Sequence, residues 1–105
     1  MGVIVICCYK PKPGKQAALA ELMTTHLPRL HKEGLVTDRK SIIMEAKDGT
    51  IVEVFEWLSQ EAINSAHSNP EVLKMWGEYA GVCDYTSLNS LAEVDDLFAG
   101  FKPVN

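Results

Sequence analysis

Long apolar runs are missing from this chain of 105 residues. The longest one, residues 3–8, falls far short of the roughly 20 apolar residues that span a bilayer. No basic residue precedes this run, whereas a secretory signal peptide carries a positive charge there. The sequence therefore predicts a cytoplasmic protein that does not enter a membrane.

Positive charge is also scarce, because 10 basic residues stand against 14 acidic ones and the net charge is −4. No basic cluster is longer than the pair Arg39 and Lys40. Neutralisation of phosphates by Lys and Arg dominates the affinity of proteins for nucleic acids. The composition therefore argues against a nucleic-acid partner.

Cysteine is limited to Cys7, Cys8 and Cys83. Cys7 and Cys8 are neighbours in an apolar stretch, and neighbouring side chains of a strand point to opposite faces, so these two cannot hold one metal ion together. No second Cys/His pair stands at the spacing of a zinc finger. We expect three small, apolar core thiols, of which Cys7 and Cys8 are unreactive, and we expect no metal site and no bound cofactor.

Strand and helix patterns nevertheless follow one another clearly along the chain. Strands are predicted at residues 3–9, 41–46, 50–58 and 83–88, and helices at residues 15–33, at residues 59–67 and from residue 70 onward. Asp48 and Gly49 predict a two-residue type I′ hairpin turn. Gly34 predicts the end of the first helix, and Pro28 predicts a kink inside it.

This order, β-α-β-β-α-β, predicts an α+β fold of the ferredoxin-like kind. A four-stranded antiparallel sheet would carry its helices on one face. We expect a single domain over residues 1–105, with a core at residues 3–88 and a C-terminal tail at residues 89–105. The tail shows apolar residues without a regular period.

The strands are apolar on both faces, which a lone sheet with one face in water would not be. In the first strand Val5 and Cys7 share one face, while Ile4 and Ile6 share the other. Helices on one side cover only one of these faces. We expect a second copy of the chain to cover the other, in a homodimer formed sheet to sheet.

Four stretches carry a resemblance to a known family: YKPKPGK, HKEGLVTDR, DGTIVEVFEW and SQEAINSAHSNPEV. In order and spacing, over residues 3–88, they resemble the dimeric α/β-barrel superfamily and, within it, the antibiotic biosynthesis monooxygenase-like domains. The resemblance implies a dimer with facing sheets and a cleft in each subunit between the sheet and its own helices. Members include cofactor-independent oxygenases acting on quinol-like polyketides, haem-degrading enzymes, isomerases and proteins without known activity.

The haem-degrading members use an Asn on the first strand, a Trp at the end of the third strand and a His in the second helical region. Trp57 and His67 resemble the last two of these residues. The first strand contains no Asn. This departure argues against haem degradation.

His67 is the candidate catalytic residue, because it stands where the Ser-Asn-Pro sequence interrupts two helical segments. Its ordinary pKa lies near working pH, as a proton shuttle requires. The alternative is a histidine at a plain helix joint, hydrogen-bonded to a backbone carbonyl or to Asn69.

Five further residues are candidates for binding a small aromatic ligand: Phe55, Trp57, His26, Trp76 and Tyr79. The two on the third strand share one face and could form a wall of the cleft or belong to the core. The histidine lies on the apolar stripe of the first helix, either hydrogen-bonded in the core or directed into the cleft. The hydroxyl of Tyr79 could enter the same cleft, as could that of Tyr85.

Glu53 and Glu56 interrupt the apolar third strand from opposite faces. A buried carboxylate is costly unless it is paired, so each should find a partner such as Arg39 or lie at a rim. Glu56 could instead hold backbone amides at the start of the second helix.

Two functions follow from these features. The first is a cofactor-independent monooxygenase-like enzyme, or an isomerase, acting on a small aromatic or polyketide-like molecule in the cleft. The alternative is a non-catalytic, ligand-binding or structural homodimer of the same fold. An open cleft lined by His67, His26 and a tyrosine would favour the first, and a cleft filled by Met23, Trp57 and Trp76 would favour the second.

Overall fold

The computed structural model describes residues 2–105. Its strands are β1 (Val3–Pro11), β2 (Ile42–Glu45), β3 (Ile51–Trp57), β4 (Cys83–Thr86) and β5 (Lys102–Pro103), and its helices are α1 (Gln16–Lys32), α2 (Gln60–Ala66) and α3 (Pro70–Ala80). The predicted α+β class is confirmed. Each predicted helix and strand is present, with ends shifted by a few residues.

The strands form one antiparallel sheet of five strands in the order β4-β1-β3-β2-β5. The prediction of four strands is therefore wrong, and the order is not strictly ferredoxin-like. The extra strand comes from the C-terminal tail, which pairs with the free edge of β2. There the Val104 amide donates to the Ile43 carbonyl at 2.8 Å, and the Asn105 side chain accepts from the Ile43 amide at 2.9 Å. The tail thus satisfies backbone groups that an edge strand leaves open.

Two predicted turns depend on glycine. Gly34 follows α1 with φ of 71°, and the Leu35 amide folds back to the Leu30 carbonyl at 3.2 Å, as predicted. The hairpin between β2 and β3 is also present, but only Gly49 has a positive φ. The type I′ assignment is therefore wrong. Ala46 and Thr50 close a longer loop, because the Ala46 amide donates to the Thr50 carbonyl at 2.8 Å.

α2 and α3 are separate helices, as the sequence predicts, and a side-chain cap stands at the start of each. The Ser59 hydroxyl accepts from the Ala62 amide at 3.1 Å, at the start of α2. The Asn69 side chain accepts from the amides of Glu71 and Val72, and Pro70 occupies the first turn of α3. These local contacts account for the helix break without any ligand.

The main core lies between the helices and one face of the sheet. Its members are large and apolar, and the most deeply buried include Tyr9, Leu19, Leu30, Phe55, Met75 and Tyr79. Arg29 of α1 and Glu78 of α3 tie the two long helices together through two contacts of 2.9 and 2.8 Å. This core surrounds the polar cluster described below.

The opposite face of the sheet is covered in part by the chain itself. Leu91 of the tail packs with Cys8, Ala46 and Val52 in a second, smaller core. Ile4, Ile6 and Ile42 lie on this face outside the tail and remain exposed. The tail therefore supplies some of the cover that the sequence led us to expect from a second copy, and the rest of the apolar face stays open.

Candidate functional site

Glu53 lies in the middle of β3, on the face that the helices cover. Its strand neighbours in the same phase are Ile51 and Phe55, and it stands opposite Cys7 of β1. Because side chains alternate along a strand, this position directs the carboxylate into the core. Its exposure is 0%.

Two polar side chains approach one oxygen of this carboxylate. The Tyr9 hydroxyl donates to Glu53 Oε1 at 2.8 Å. His26 Nδ1, from α1, lies 2.8 Å from the same oxygen, although its direction does not meet the geometry of a hydrogen bond. This contact becomes an ion pair when His26 is protonated. Three residues from β1, α1 and β3 thus meet inside the core.

The second oxygen, Glu53 Oε2, is buried and has no hydrogen-bond partner among the described residues. Leaving a buried acceptor unpaired costs about 1–3 kcal/mol, and more for a charged group. A core selected for stability alone would pair this atom or replace it with an apolar one. The open oxygen therefore marks this cluster as the candidate site.

Aromatic rings surround the imidazole of His26. Its ring centroid lies 5.3 Å from that of Phe55 and 5.4 Å from that of Tyr79, with edge-to-face geometry in both pairs. Tyr9 stands 6.0 Å away, and Trp57 extends the apolar wall at 5.5 Å from Phe55. Such pairs hold the histidine in one orientation.

Burial controls the protonation of the groups around Glu53. Burial raises the pKa of Tyr9 far above its ordinary value, and the charge of Glu53 raises it further. The same two causes, in the same order, raise the pKa of Tyr79 and bring the pKa of Cys7 to about 11. These side chains therefore stay protonated at working pH, and Tyr9 acts as a hydrogen-bond donor.

The structure brings four of the predicted site residues together and sets two apart. His26 lies against Glu53, Phe55 and Tyr79 pack on His26, and Trp57 packs on Phe55. His67 and Trp76 form a separate pair, with ring centroids 5.2 Å apart.

The exposed His67 ring places Nδ1 2.9 Å from the Ile63 carbonyl of its own helix. This is the arrangement of a histidine at a helix joint, and its catalytic role stays a prediction. Replacing His67 by alanine is expected to change the stability by no more than about 0.5 kcal/mol, because the ring contributes little buried area. Thermal melts check this, with His31→Ala as a matched control that also removes an exposed ring.

A ligand-binding role would appear in a second measurement on His67→Ala, the quenching of tryptophan fluorescence by a panel of quinols, flavonoids and haem. If His67 contacts a ligand, binding weakens in this variant and not in His31→Ala. Melting many degrees lower would make the residue structural. Unchanged melting and unchanged binding together would remove His67 from the site.

The sequence did not single out Tyr9 or the pairing of Glu53. Of the two glutamates expected to find a partner such as Arg39, Glu56 has it and Glu53 does not, because Arg39 Nε donates to Glu56 Oε1 at 3.0 Å. The Thr37 hydroxyl donates to the same oxygen at 2.9 Å. These two hydrogen bonds, from Arg39 first and Thr37 second, lower the pKa of Glu56. Glu56 therefore has a structural partner on the far face, while Glu53 has only Tyr9 and His26.

A signal for the cluster was present in the sequence. Glu53 shares the strand phase of Phe55 and Trp57, and His26 interrupts the apolar stripe of α1. Two polar residues on two apolar surfaces that must face each other predict a contact between them. Tyr9 belongs to the same phase of β1 as Val5.

Two surface pockets lie away from the Tyr9–Glu53–His26 cluster. The larger of two between α1 and α3 has a volume of about 550 Å³ and is lined by Ala18, Glu21, Leu22, Thr25, Arg29, Glu78 and Val82. The other measures about 340 Å³ and lies beside Leu30, Glu33 and Met75. Neither is lined by a predicted site residue. Met23 and Trp57 are buried in the core between helices and sheet, where the sequence led us to expect a cleft.

Within residues 2–105, no three His, Cys, Asp or Glu side chains converge as metal ligands. No helix in this range has both the length and the apolar character needed to cross a membrane. Comparison with protein-family models, with curated protein sequences and with solved structures found no match to this chain.

Proposed function

We propose that the protein is a cofactor-independent enzyme that moves a proton on a small aromatic or polyketide-like molecule, as an oxygenase or an isomerase. The observation that carries this proposal is Glu53: a carboxylate inside the core, with Tyr9 and His26 on one oxygen and no partner on the other. A buried carboxylate oxygen without a donor can accept a proton or a hydroxyl from a bound molecule.

In this proposal Glu53 takes a proton from an acidic O–H or C–H of the substrate. Tyr9 holds Oε1 in place, and His26 lies against the same oxygen. In an isomerisation, the carboxylic acid formed returns the proton to another atom of the substrate. In an oxygenation, a CH₂ group between aromatic rings and one O₂ become C=O and H₂O, so the substrate supplies all the electrons.

The aromatic residues around the cluster support an aromatic substrate. Phe55 and Tyr79 pack edge-to-face on His26, and Trp57 packs on Phe55. We also infer a ferredoxin-like core and a dimeric α/β-barrel assembly. The order of the first four strands, β4-β1-β3-β2, and the open apolar face of the sheet support both.

Glu53→Gln is the test, because it removes the charge and keeps the shape of the side chain. We expect kcat to fall by about 100-fold or more, the usual contribution of a positioned base. Oxygen uptake and absorbance would be followed with anthrone and 1,4-naphthohydroquinone, with spontaneous oxidation subtracted. Glu56→Gln is the matched control, because it changes the same residue type on the same strand but on the opposite face. It should keep kcat within about twofold.

Equal loss in both variants, or none in Glu53→Gln, would contradict the assignment of the base. Thermal melts of both variants show whether any loss of turnover follows from unfolding. If the wild-type protein turns over neither probe, and neither probe binds it, the function proposed here fails for this substrate class.

The second candidate is a non-catalytic homodimer. Burial of Met23 and Trp57 between helices and sheet favours it, because these side chains occupy the space that a ligand would need. In that case Glu53→Gln alters stability alone. The turnover of Glu53→Gln therefore distinguishes the two candidate functions.

A further inference from the structure

Tyr85 stands between the buried cluster and solvent. It lies on the edge strand β4, directly opposite Tyr9 of β1. The two rings contact each other with centroids 5.4 Å apart and planes tilted by 56°. Tyr85 is 53% exposed, whereas Tyr9 is 1% exposed. One side of the Tyr85 ring therefore covers Tyr9, and the other faces water.

The electrostatic surroundings of Tyr85 connect it with the same cluster. Burial raises its pKa first, and Cys83, Cys7 and Glu53 raise it further. The phenol of Tyr85 thus lies within the field of the carboxylate to which Tyr9 donates. Within residues 2–105 its hydroxyl makes no hydrogen bond that would fix it in place.

We propose that Tyr85 is a movable cover over Tyr9, the outer residue of the Tyr9–Glu53–His26 cluster, and that a small planar phenol binds in its place against Tyr9. This inference rests on the proposed function and names the part of the substrate that the cluster recognises. The Tyr85 side chain is itself a phenol, so its position defines a space of that shape. The open oxygen of Glu53 supplies the acceptor for the hydroxyl of the incoming phenol.

Movement of this side chain disturbs little else in the fold. β4 is a short strand at the edge of the sheet, paired on one side only, with β1. Movement of the half-exposed Tyr85 ring uncovers Tyr9, whereas the fully buried Tyr79 is also held by its hydroxyl, which donates to the Leu22 carbonyl at 2.7 Å. Of the aromatic residues in contact with Tyr9, Tyr85 is thus the one free to move.

Tyr85→Ala tests the inference with p-cresol, which is the side chain of tyrosine as a free molecule. We expect Tyr85→Ala to bind p-cresol at least tenfold more tightly than the wild type, because the ligand no longer competes with a tethered ring. Binding is measured by calorimetry and by the rise of the melting temperature with ligand concentration. Phe98→Ala, which removes a more exposed ring in the tail, is the matched control.

Cys7 provides a second readout, because it lies on the same face of β1 as Tyr9. Its thiol is half-buried, and not fully buried as the sequence predicts, because Cys7 lies at the margin of the main core. In the wild type a neutral thiol reagent should modify it slowly. Tyr85→Ala should speed this modification, and p-cresol should slow it again. Cys8, on the opposite face under the tail, should keep its rate in every case.

Tyr85→Phe keeps the ring and should behave as the wild type, and Tyr85→Val removes the ring while keeping a residue that favours strands. The inference is overturned if neither Tyr85→Ala nor Tyr85→Val binds p-cresol better than Phe98→Ala does. It is also overturned if p-cresol binds without protecting Cys7, because the ligand then lies elsewhere.

The test separates this inference from the proposed function. If Tyr85→Ala binds p-cresol but Glu53→Gln turns over as fast as the wild type, the phenol site stands and Glu53 is not the base. If Glu53→Gln loses turnover but Tyr85→Ala does not bind p-cresol, Glu53 stands as the base and Tyr85 does not cover a phenol site.

Discussion

Replacing Glu53 by leucine is expected to lower the free energy of unfolding by roughly 1–3 kcal/mol. The change leaves the Tyr9 hydroxyl buried without its acceptor and removes the carboxylate that lies 2.8 Å from His26 Nδ1. An unpaired buried donor costs about 1–3 kcal/mol, and the apolar area gained by leucine offsets part of this cost. Urea unfolding followed by tryptophan fluorescence measures the difference.

A triple variant shows whether the cost comes from the unpaired partners. Tyr9→Phe and His26→Leu, added to Glu53→Leu, remove every polar group of the cluster. Replacing a whole buried network by apolar groups of similar size is often neutral or stabilising. We therefore expect the triple variant to recover most of the stability that the single change loses, and to have no turnover.

Wild-type stability in Glu53→Leu alone would contradict the geometry of the cluster. Loss in the triple variant as large as in the single one would mean that packing, and not polar pairing, sets the cost. Recovery in the triple variant would instead indicate that the cluster persists at the expense of stability, which is typical of functional groups.

Local chemistry in the sequence was sufficient to predict most of the fold. Helix ends are one example. Ser59 and Asn69 cap amides two or three residues away, and Gly34 ends its helix through its own φ, so a short stretch of sequence contains each interaction. The hairpin was predicted for the same reason. Its turn type was not, because the loop closes at Ala46 and Thr50 and leaves Asp48 with an ordinary φ.

The strand in the tail and the partners of Glu53 could not be predicted from the sequence, because both depend on contacts between residues far apart in the chain. The residues of β5 have no strand pattern of their own, and they become a strand because β2 offers them a free edge. Glu53 was predicted to need a partner, but the choice among Arg39, Tyr9 and His26 depends on where three elements meet. Strand phase excluded Arg39 only after the register of β1, β2 and β3 was known.

The open apolar face of the sheet predicts a dimer. We expect the wild-type chain to form a homodimer with twice the 11.6 kDa mass of one chain, and Ile6→Asp to convert it to monomers. Ile6 lies in the middle of β1, on the open face of the sheet, and is 49% exposed in the single chain. Exposed apolar strand residues with no cover of their own are typical of an interface. An aspartate there would be buried without a partner in the dimer, and a charge is costly in that position.

Light scattering over a range of concentrations measures the mass, and Leu73→Asp provides the control. Leu73 lies on α3 and is 47% exposed, so its replacement introduces the same charge at nearly the same exposure on the helical side. This variant should remain a dimer. A wild-type mass near that of one chain at all concentrations would contradict the dimer. If both variants dissociate, the interface cannot be assigned to the sheet, because the two changes introduce the same charge at similar exposure on different sides of the protein.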